Sequence, residues 1–190
     1  MSSWGATDAD ESKPKFLTDA EKKLVFANTS GWVLEAGSAF SGNDNANATP
    51  EVLVAIGDLT TSLGAADITE VEFVTTAFGK AAGGNIDMLV RFNEAVDVTG
   101  TPQFLITNDT SSSRNITCSY LSGTGTNELI FRKTLGTNNA ATNANDVLKV
   151  VANPVSLNGG TIKDEGTNTV STITSSVAIG TAAGTLTVAA

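Results

Sequence analysis

The chain has 190 residues and a formal net charge of −9, and 41% of its residues are hydrophobic, 6% aromatic and 16% charged. This length suits one β-sandwich-sized domain with an extension and excludes two large domains. Residues 31–190 hold seven Lys or Arg against fifteen Asp or Glu, so this acidic body would repel a phosphate backbone and we expect no nucleic-acid binding.

The first elements in chain order are an arm and a short helix. Pro14 and the mixed charges of residues 8–15 predict an extended arm. The sequence Thr18-Asp19-Ala20-Glu21 has the pattern of a capping box, in which the Thr18 hydroxyl accepts from the Glu21 amide and the Glu21 side chain reaches back. It predicts a helix over about residues 19–26, which is too short to be stable alone and must dock on something.

Large aromatic and apolar side chains are concentrated in this N-terminal segment. They include Trp4, Phe16, Leu17, Phe26 and Trp32. Two explanations remain open: the segment folds back on its own domain, or it lies on a neighbouring subunit, since aromatic anchors dominate protein interfaces. Under the second explanation these five residues are the candidate partner-docking residues.

The stretch after the arm predicts a linker. Residues 38–50 are rich in Gly, Asn and Ser, which is typical of an exposed loop. The apolar run within residues 50–56 could form a strand, and residues 59–67 are a further connection containing Gly and Ala. We therefore divide the chain into an N-terminal arm, helix and linker over residues 1–67 and a β domain over residues 68–190.

From Ile68 onward the sequence alternates between strand and turn signals. Ile86, Met88, Val90 and Phe92 share one face of a period-2 pattern, which indicates a half-buried strand. The predicted strands are residues 71–78, 86–93, 103–107, 115–121, 127–133, 147–151, 161–163, 169–173 and 185–188. Several short strands at this spacing indicate an all-β sandwich.

Three blocks of the β region resemble repeats of large bacterial surface proteins that carry Ig-like or cadherin-like modules. They are VRFNEAVDVTGTPQF at residues 90–104, YLSGTGTNELIF at 120–131 and SLNGGTIKD at 156–164. The blocks recur in the same order in those proteins, and the resemblance covers about residues 68–164. It implies an all-β fold in which an Ig-like β-sandwich follows the extended arm and its short helix.

A second resemblance concerns the N-terminal segment. Trp4-Gly5-Ala6-Thr7-Asp8-Ala9, followed by Lys13-Pro14-Lys15-Phe16-Leu17, is similar to the start of small virion structural proteins of marine tailed bacteriophages. With the Ig-like body, it implies a non-enzymatic capsid decoration or cement protein. Such a protein would dock through its arm on the major capsid protein or another virion subunit.

The same resemblance implies a virion location after assembly in the host cytoplasm, with a possible homo-oligomer on the particle. Two alternatives remain open. The chain could be a subunit associated with the tail, neck or fibre of the phage. It could also be an Ig-like module that binds a carbohydrate or a receptor.

The composition argues against an enzyme. The chain has no histidine, so the commonest general base and the commonest zinc ligand are missing, and its single cysteine, Cys118, cannot form an intramolecular disulfide. We expect Cys118 to be a small buried residue. We expect Glu94, Asp97, Asp87 and Asp109 to be solvated surface acids rather than a hydrolytic pair.

We expect neither a cofactor nor a membrane partner. The glycine-rich turns lack the Lys-Ser/Thr of a phosphate-binding loop. A calcium site is the alternative that the adhesin resemblance implies, but the loops around Asp44 and Asp146 each hold a single carboxylate. The start of the chain lacks the features of a signal peptide, and no apolar run approaches the roughly 18 residues of a membrane span.

Overall fold

The computed structural model describes residues 13–190, which form thirteen strands and three short α-helices. The strands are β1 (Val25–Asn28), β2 (Gly31–Leu34), β3 (Glu51–Ala55), β4 (Ile68–Phe73), β5 (Phe78–Gly79), β6 (Gly84–Thr99), β7 (Gln103–Asn108), β8 (Ile116–Ser122), β9 (Thr126–Leu135), β10 (Val147–Lys149), β11 (Val155–Ser156), β12 (Thr161–Asp164) and β13 (Thr185–Ala189). The helices are α1 (Asp19–Lys23), α2 (Leu59–Ser62) and α3 (Val177–Ala182). The predicted all-β class is therefore confirmed.

The sixteen-residue strand β6 organises the fold because it pairs with four other strands. Its first part pairs antiparallel with β4 on one side and with β9 on the other. Its last part pairs antiparallel with β12, and Glu94 lies opposite Ala27 of β1 in a parallel bridge. The complete strand order is β3-β2-β1-β6-β9-β8-β7-β10-β13-β5, and β11 pairs with β7.

The main core is built from alternating side chains of the strands that follow residue 65. Ile86, Met88, Val90 and Phe92 are all buried on one side of β6, as their period-2 spacing predicts. They pack with side chains from β4, β7, β8, β9, β10, β12 and β13. Cys118 of β8 is fully buried in the same core, which confirms its expected packing role.

From residue 25 onward the N-terminal segment forms strands, two of which the sequence did not predict. Strands β1 and β2 form an antiparallel hairpin, and β3 adds to the outer side of β2. Gly31 starts β2 with φ +130°, and a Cβ there would lie 2.1 Å from the Val54 carbonyl oxygen. Only glycine therefore lets β3 approach the hairpin this closely.

A second, smaller core holds the hairpin together. It consists of Val25, Ala27, Trp32 and Leu34 from the hairpin with Leu59 and Leu63 around α2. The other face of the hairpin carries Phe26 and Val33, which pack on Ala95 of β6. The hairpin thus rests on the main sheet across the boundary predicted at residue 67.

The capping box is confirmed, but the helix is shorter than predicted. The Thr18 side chain accepts from the Glu21 amide, and the Glu21 carboxylate accepts from the Thr18 amide at 2.7 Å. Helix α1 ends at Lys23 instead of reaching residue 26, because Val25 and Phe26 pair with Leu34 and Val33. The β-branched and aromatic side chains at these positions fit the hairpin better than a helix end.

Several strand predictions are confirmed and two are corrected. The run within residues 50–56 forms β3, and the predicted strands at 86–93, 103–107, 115–121 and 127–133 correspond to β6 to β9. The strand predicted over residues 71–78 ends at Phe73, and β5 is a separate short strand. Residues 169–173 make only isolated bridges, at Val170 and Thr172.

Within the described part of the chain, no helix is long and apolar enough to cross a membrane.

Candidate functional site

The five predicted docking residues differ in accessibility. Phe16 is 67% exposed, and Leu17 is partly buried against the smaller core. Phe26 is 6% and Trp32 2% exposed, so both side chains pack inside the chain itself and are not accessible to a partner. For these two residues the structure supports the explanation that the segment folds back on its own domain. Trp4 lies outside the described residues.

Phe16 lies at the tip of a turn formed by residues 14–17, which we call the docking turn. The Leu17 amide donates to the Pro14 carbonyl oxygen at 3.2 Å and closes the turn. Pro14 is buried, whereas Lys15 and Phe16 are exposed. Just before the turn, the Lys13 ammonium donates to the Lys22 carbonyl oxygen at 2.9 Å. The turn is therefore attached to the C-terminal end of α1 and exposes a lysine and a phenylalanine at consecutive positions.

A cluster of charged side chains joins the N-terminal segment to the main sheet. We call it the Arg91 cluster: Arg91, Glu35, Glu70, Glu128 and Lys23. Arg91 is only 8% exposed; its guanidinium contacts Glu70, donates to Glu128 Oε1 from Nε at 2.8 Å, and lies 3.5 Å from Glu35 Oε2. Lys23 pairs with Glu70 at 2.9 Å. The cluster thus connects α1 and the end of β2 with β4, β6 and β9.

The Arg91 cluster contains three carboxylates around one guanidinium. Burial raises the pKa of Glu35 to about 8, and the neighbouring carboxylate of Glu128 acts in the same direction by accepting a hydrogen bond from the protonated Glu35. The positive charge of Arg91 opposes this rise in pKa only in part. Glu35 therefore holds a proton at neutral pH.

A cavity of about 500 Å³ opens beside this cluster. Its wall includes Phe26, Asn28 and Glu35 from the hairpin side, Asn127 and Glu128 from the start of β9, and Glu165 after β12. Residues 46–48 of the loop before β3 also line the cavity. The cavity therefore lies where the hairpin meets the main sheet, a position at which binding sites are common.

The carboxylates that were expected at the surface differ in environment. Glu94 is fully buried, which corrects the prediction that it is solvated, whereas Asp97 is exposed. Asp87 is half-buried and accepts two hydrogen bonds from Arg132, at 2.7 and 2.6 Å. Asp109 is exposed and pairs with Lys149 at 2.6 Å. Because Glu94 is buried and Asp97 faces solvent, these two acids do not form a common site.

The two acidic loops considered for calcium have other structural roles. Asp146 is 1% exposed and accepts from Arg114 at 2.9 and 2.8 Å, so an internal guanidinium occupies its carboxylate. The hydrogen bond from Arg114 holds the pKa of Asp146 well below its usual range. Asp44 lies in a loop of short Asn turns in which the Asn45 amide donates to Asn43 Oδ1 at 3.0 Å. Among the described residues, no group of three His, Cys, Asp or Glu could hold a metal ion.

Sequence reasoning missed the Arg91 cluster and the cavity, because their residues are far apart in the chain. The one available signal was Arg91 itself, a charge in a strand whose alternate residues are apolar.

Burial raises the pKa of the Cys118 thiol to about 12, so this residue is not a nucleophile at neutral pH.

No family model, no curated protein and no solved structure matches the chain.

Proposed function

We propose that the chain is a non-enzymatic structural protein of a virus particle, a capsid decoration or cement protein that attaches through its docking turn. The observation that carries this proposal is the exposed Phe16, which lies beside exposed Lys15 at the tip of a closed turn. The same residues belong to the N-terminal block that resembles small virion proteins. An aromatic ring with an adjacent cation is typical of the anchors that dominate protein interfaces.

The chemistry of the turn indicates the kind of surface it would bind. An apolar pocket on the major capsid protein or another virion subunit would bury the Phe16 ring, and an acidic group at its rim would pair with Lys15. Burying a phenylalanine side chain contributes about 1.5–3 kcal/mol. Since Phe16 is already one-third covered in the free chain, removing it should weaken binding by roughly tenfold.

The rest of the N-terminal segment supports the docking turn instead of contacting the shell. Helix α1 packs on β1, and Lys23 at its end pairs with Glu70 of β4. Trp32 and Phe26 fix the hairpin from its two faces. In this proposal the body that begins near Ile68 has an Ig-like sandwich arrangement and faces outward.

The proposal is tested by co-sedimentation of the purified chain with virus shells that lack it. We compare the unmodified chain with Phe16→Ala and Phe40→Ala. Phe40 is the matched control because it is also an exposed phenylalanine, at 50%, but lies in the loop before β3. We expect saturable binding for the unmodified chain and Phe40→Ala, and an affinity about tenfold lower for Phe16→Ala. Trp4→Ala tests the segment before the turn.

The outcomes separate the alternatives. Equal binding by Phe16→Ala and the unmodified chain would show that the docking turn is not the attachment point. Absence of binding by every variant would reject the decoration proposal. Native mass measurement would then distinguish a tail or neck subunit, which forms a defined ring or trimer, from a ligand-binding module.

A further inference from the structure

One turn of the main sheet contains the only Asn-Gly sequence of the chain. Of the sixteen asparagines, Asn158 alone precedes a glycine. It lies in the turn of residues 157–160, which joins β11 to β12. Asn158 has φ +46° and Gly159 has φ +78°, and the Gly160 amide donates to the Leu157 carbonyl oxygen at 2.8 Å. Positive φ at both central residues is the geometry for which tight hairpin turns select Asn-Gly.

The two groups that could react with each other in this turn are accessible. Asn158 and Gly159 are both exposed, and among the described residues the Gly159 amide has no hydrogen-bond acceptor. Because glycine has no Cβ, no side chain shields its amide nitrogen from the preceding residue. The Asn158 Nδ2 donates to the Thr101 carbonyl oxygen at 3.1 Å, which holds the side chain while the turn is closed. When that bond opens, the Gly159 nitrogen can attack the side-chain amide.

We propose that Asn158 is a site of spontaneous deamidation, which alters this end of the sheet as the protein ages. Asparagine is a thermolabile residue. The Gly159 nitrogen attacks Cγ of Asn158 and gives up its proton, the Cγ–Nδ2 bond breaks, and ammonia leaves a five-membered succinimide. Water then opens this ring. Hydrolysis at Cγ gives aspartate, and hydrolysis at the main-chain carbonyl gives isoaspartate, in which the chain runs through Cβ and Cγ.

The products matter because the turn of residues 157–160 packs closely on the turn between β6 and β7. A Cβ at Gly160 would lie 2.3 Å from the Thr99 carbonyl oxygen, and a Cβ at Gly100 would lie 2.8 Å from the Gly160 Cα. Isoaspartate lengthens the main chain by one carbon, so the turn no longer fits this contact. Aspartate keeps the chain length but loses the Nδ2 donor and places a negative charge beside the Thr101 carbonyl oxygen. Both products therefore weaken the pairing of β11 with β7 and of β12 with β6.

The first test follows the masses of two tryptic peptides while the full chain is incubated at pH 8. Trypsin releases residues 150–163 and residues 164–190 as separate peptides. The first peptide contains Asn158 and Asn153, but Asn153 precedes a proline, which has no amide proton and cannot close the ring. We expect this peptide to show the mass change from amide to acid, at a rate that rises with pH because the attacking nitrogen must lose its proton.

Asn168 in the second peptide is the matched control. It is also exposed and has φ +58°, but the β-branched Thr169 follows it and crowds the attacking amide. We expect Asn168 to convert roughly tenfold more slowly than Asn158 or slower still. Equal rates at the two asparagines would overturn the proposal. The same holds if residues 150–163 of the full chain gain no mass while a synthetic peptide of that sequence converts completely.

The second test measures the structural consequence by hydrogen exchange of the aged and the fresh chain. We expect faster amide exchange in β11 and β12 of the aged chain and unchanged exchange in β1 and β2, which lie elsewhere in the sheet. Asn158→Asp reproduces the aspartate product and should accelerate exchange in β11, whereas Asn168→Asp should not. Unchanged exchange in β11 and β12 of the aged chain would contradict the predicted weakening. The modification does not depend on the proposed function.

Discussion

Asp146 ties its own loop to the segment that follows β7 through one carboxylate. It accepts from the side chains of Arg114 and Asn108 and from the Asn143 amide. We predict that Asp146→Asn lowers the free energy of unfolding by about 2 kcal/mol, because it leaves charged and polar donors without their acceptor. Urea denaturation measures this change.

The matched control is Asp109→Asn. Asp109 is also paired with a cation, Lys149, but its side chain is 56% exposed. Its loss should cost less than about 1 kcal/mol, as for other surface ion pairs. Equal losses for the two variants would contradict the importance of burial.

The same carboxylate predicts a dependence on acid. Since its pKa is lowered on folding, Asp146 stabilises the protein at pH values above 3.8, the usual value, and this contribution is lost as the pH falls further. The stability difference between the unmodified chain and Asp146→Asn should therefore shrink below about pH 4. A constant difference down to pH 2 would contradict the sign of the shift.

At the residue scale, local patterns were predictable and distant partners were not. The capping box of Thr18 and Glu21 depends on residues three apart, so the sequence alone predicts it. The burial of Glu94 depends on the bridge that β6 makes with β1, about seventy residues earlier in the chain. For the same reason Arg91 gave no indication of its three carboxylate partners, which come from three other elements.

At the scale of elements, the hairpin of β1 and β2 has a core of its own. Trp32 is the largest side chain in that core and is 2% exposed. We predict that Trp32→Ala costs about 3–5 kcal/mol, the usual range for removing a buried aromatic ring. Hydrogen exchange should show greater loss of amide protection in β1 and β2 than in β7 and β8, because the latter strands belong to the main core.

Phe40→Ala is the control for this variant as well, since its ring is exposed and packs in neither core. It should leave protection of the hairpin unchanged. If Trp32→Ala reduced protection equally in all strands, the two cores would unfold as one unit and the prediction would be wrong.

The strands of the main sheet were easier to predict than the hairpin. Clear period-2 alternation marked β6, and turn residues separated β7, β8 and β9. Val25 and Phe26 instead follow a good helix start, and their extended conformation is decided by pairing with β2. Residues 169–173 have strand-like composition but make only isolated bridges, so local propensity alone did not produce a strand there.

At the scale of the whole molecule, the Arg91 cluster couples the attachment of the hairpin to pH. Glu35 faces Arg91, Glu128 and Glu70, and its pKa is raised to about 8 on folding. A carboxyl group whose pKa is raised on folding stabilises the protein most at pH values below its pKa in the unfolded chain, about 4.3. This contribution to the free energy of unfolding is lost as the pH rises through 8. We predict that the midpoint of urea unfolding falls between pH 6 and pH 9.

Glu35→Gln should remove most of this decline, because a glutamine cannot lose a proton. Glu72→Gln, which changes an exposed acid outside the cluster, should retain it. A decline of the same size in Glu35→Gln would assign the effect to another group.

The position of β13 has a consequence for synthesis of the protein. Residues 185–189 lie between β10 and β5 in the sheet, where Leu186 pairs with Leu148 and Val188 pairs with Phe78. While the chain is still emerging from a ribosome, these partners have no neighbour on that side, and the main core remains open. Folding of this region must therefore wait until β13 has been synthesised, and until then the apolar edges of β10 and β5 are exposed to aggregation.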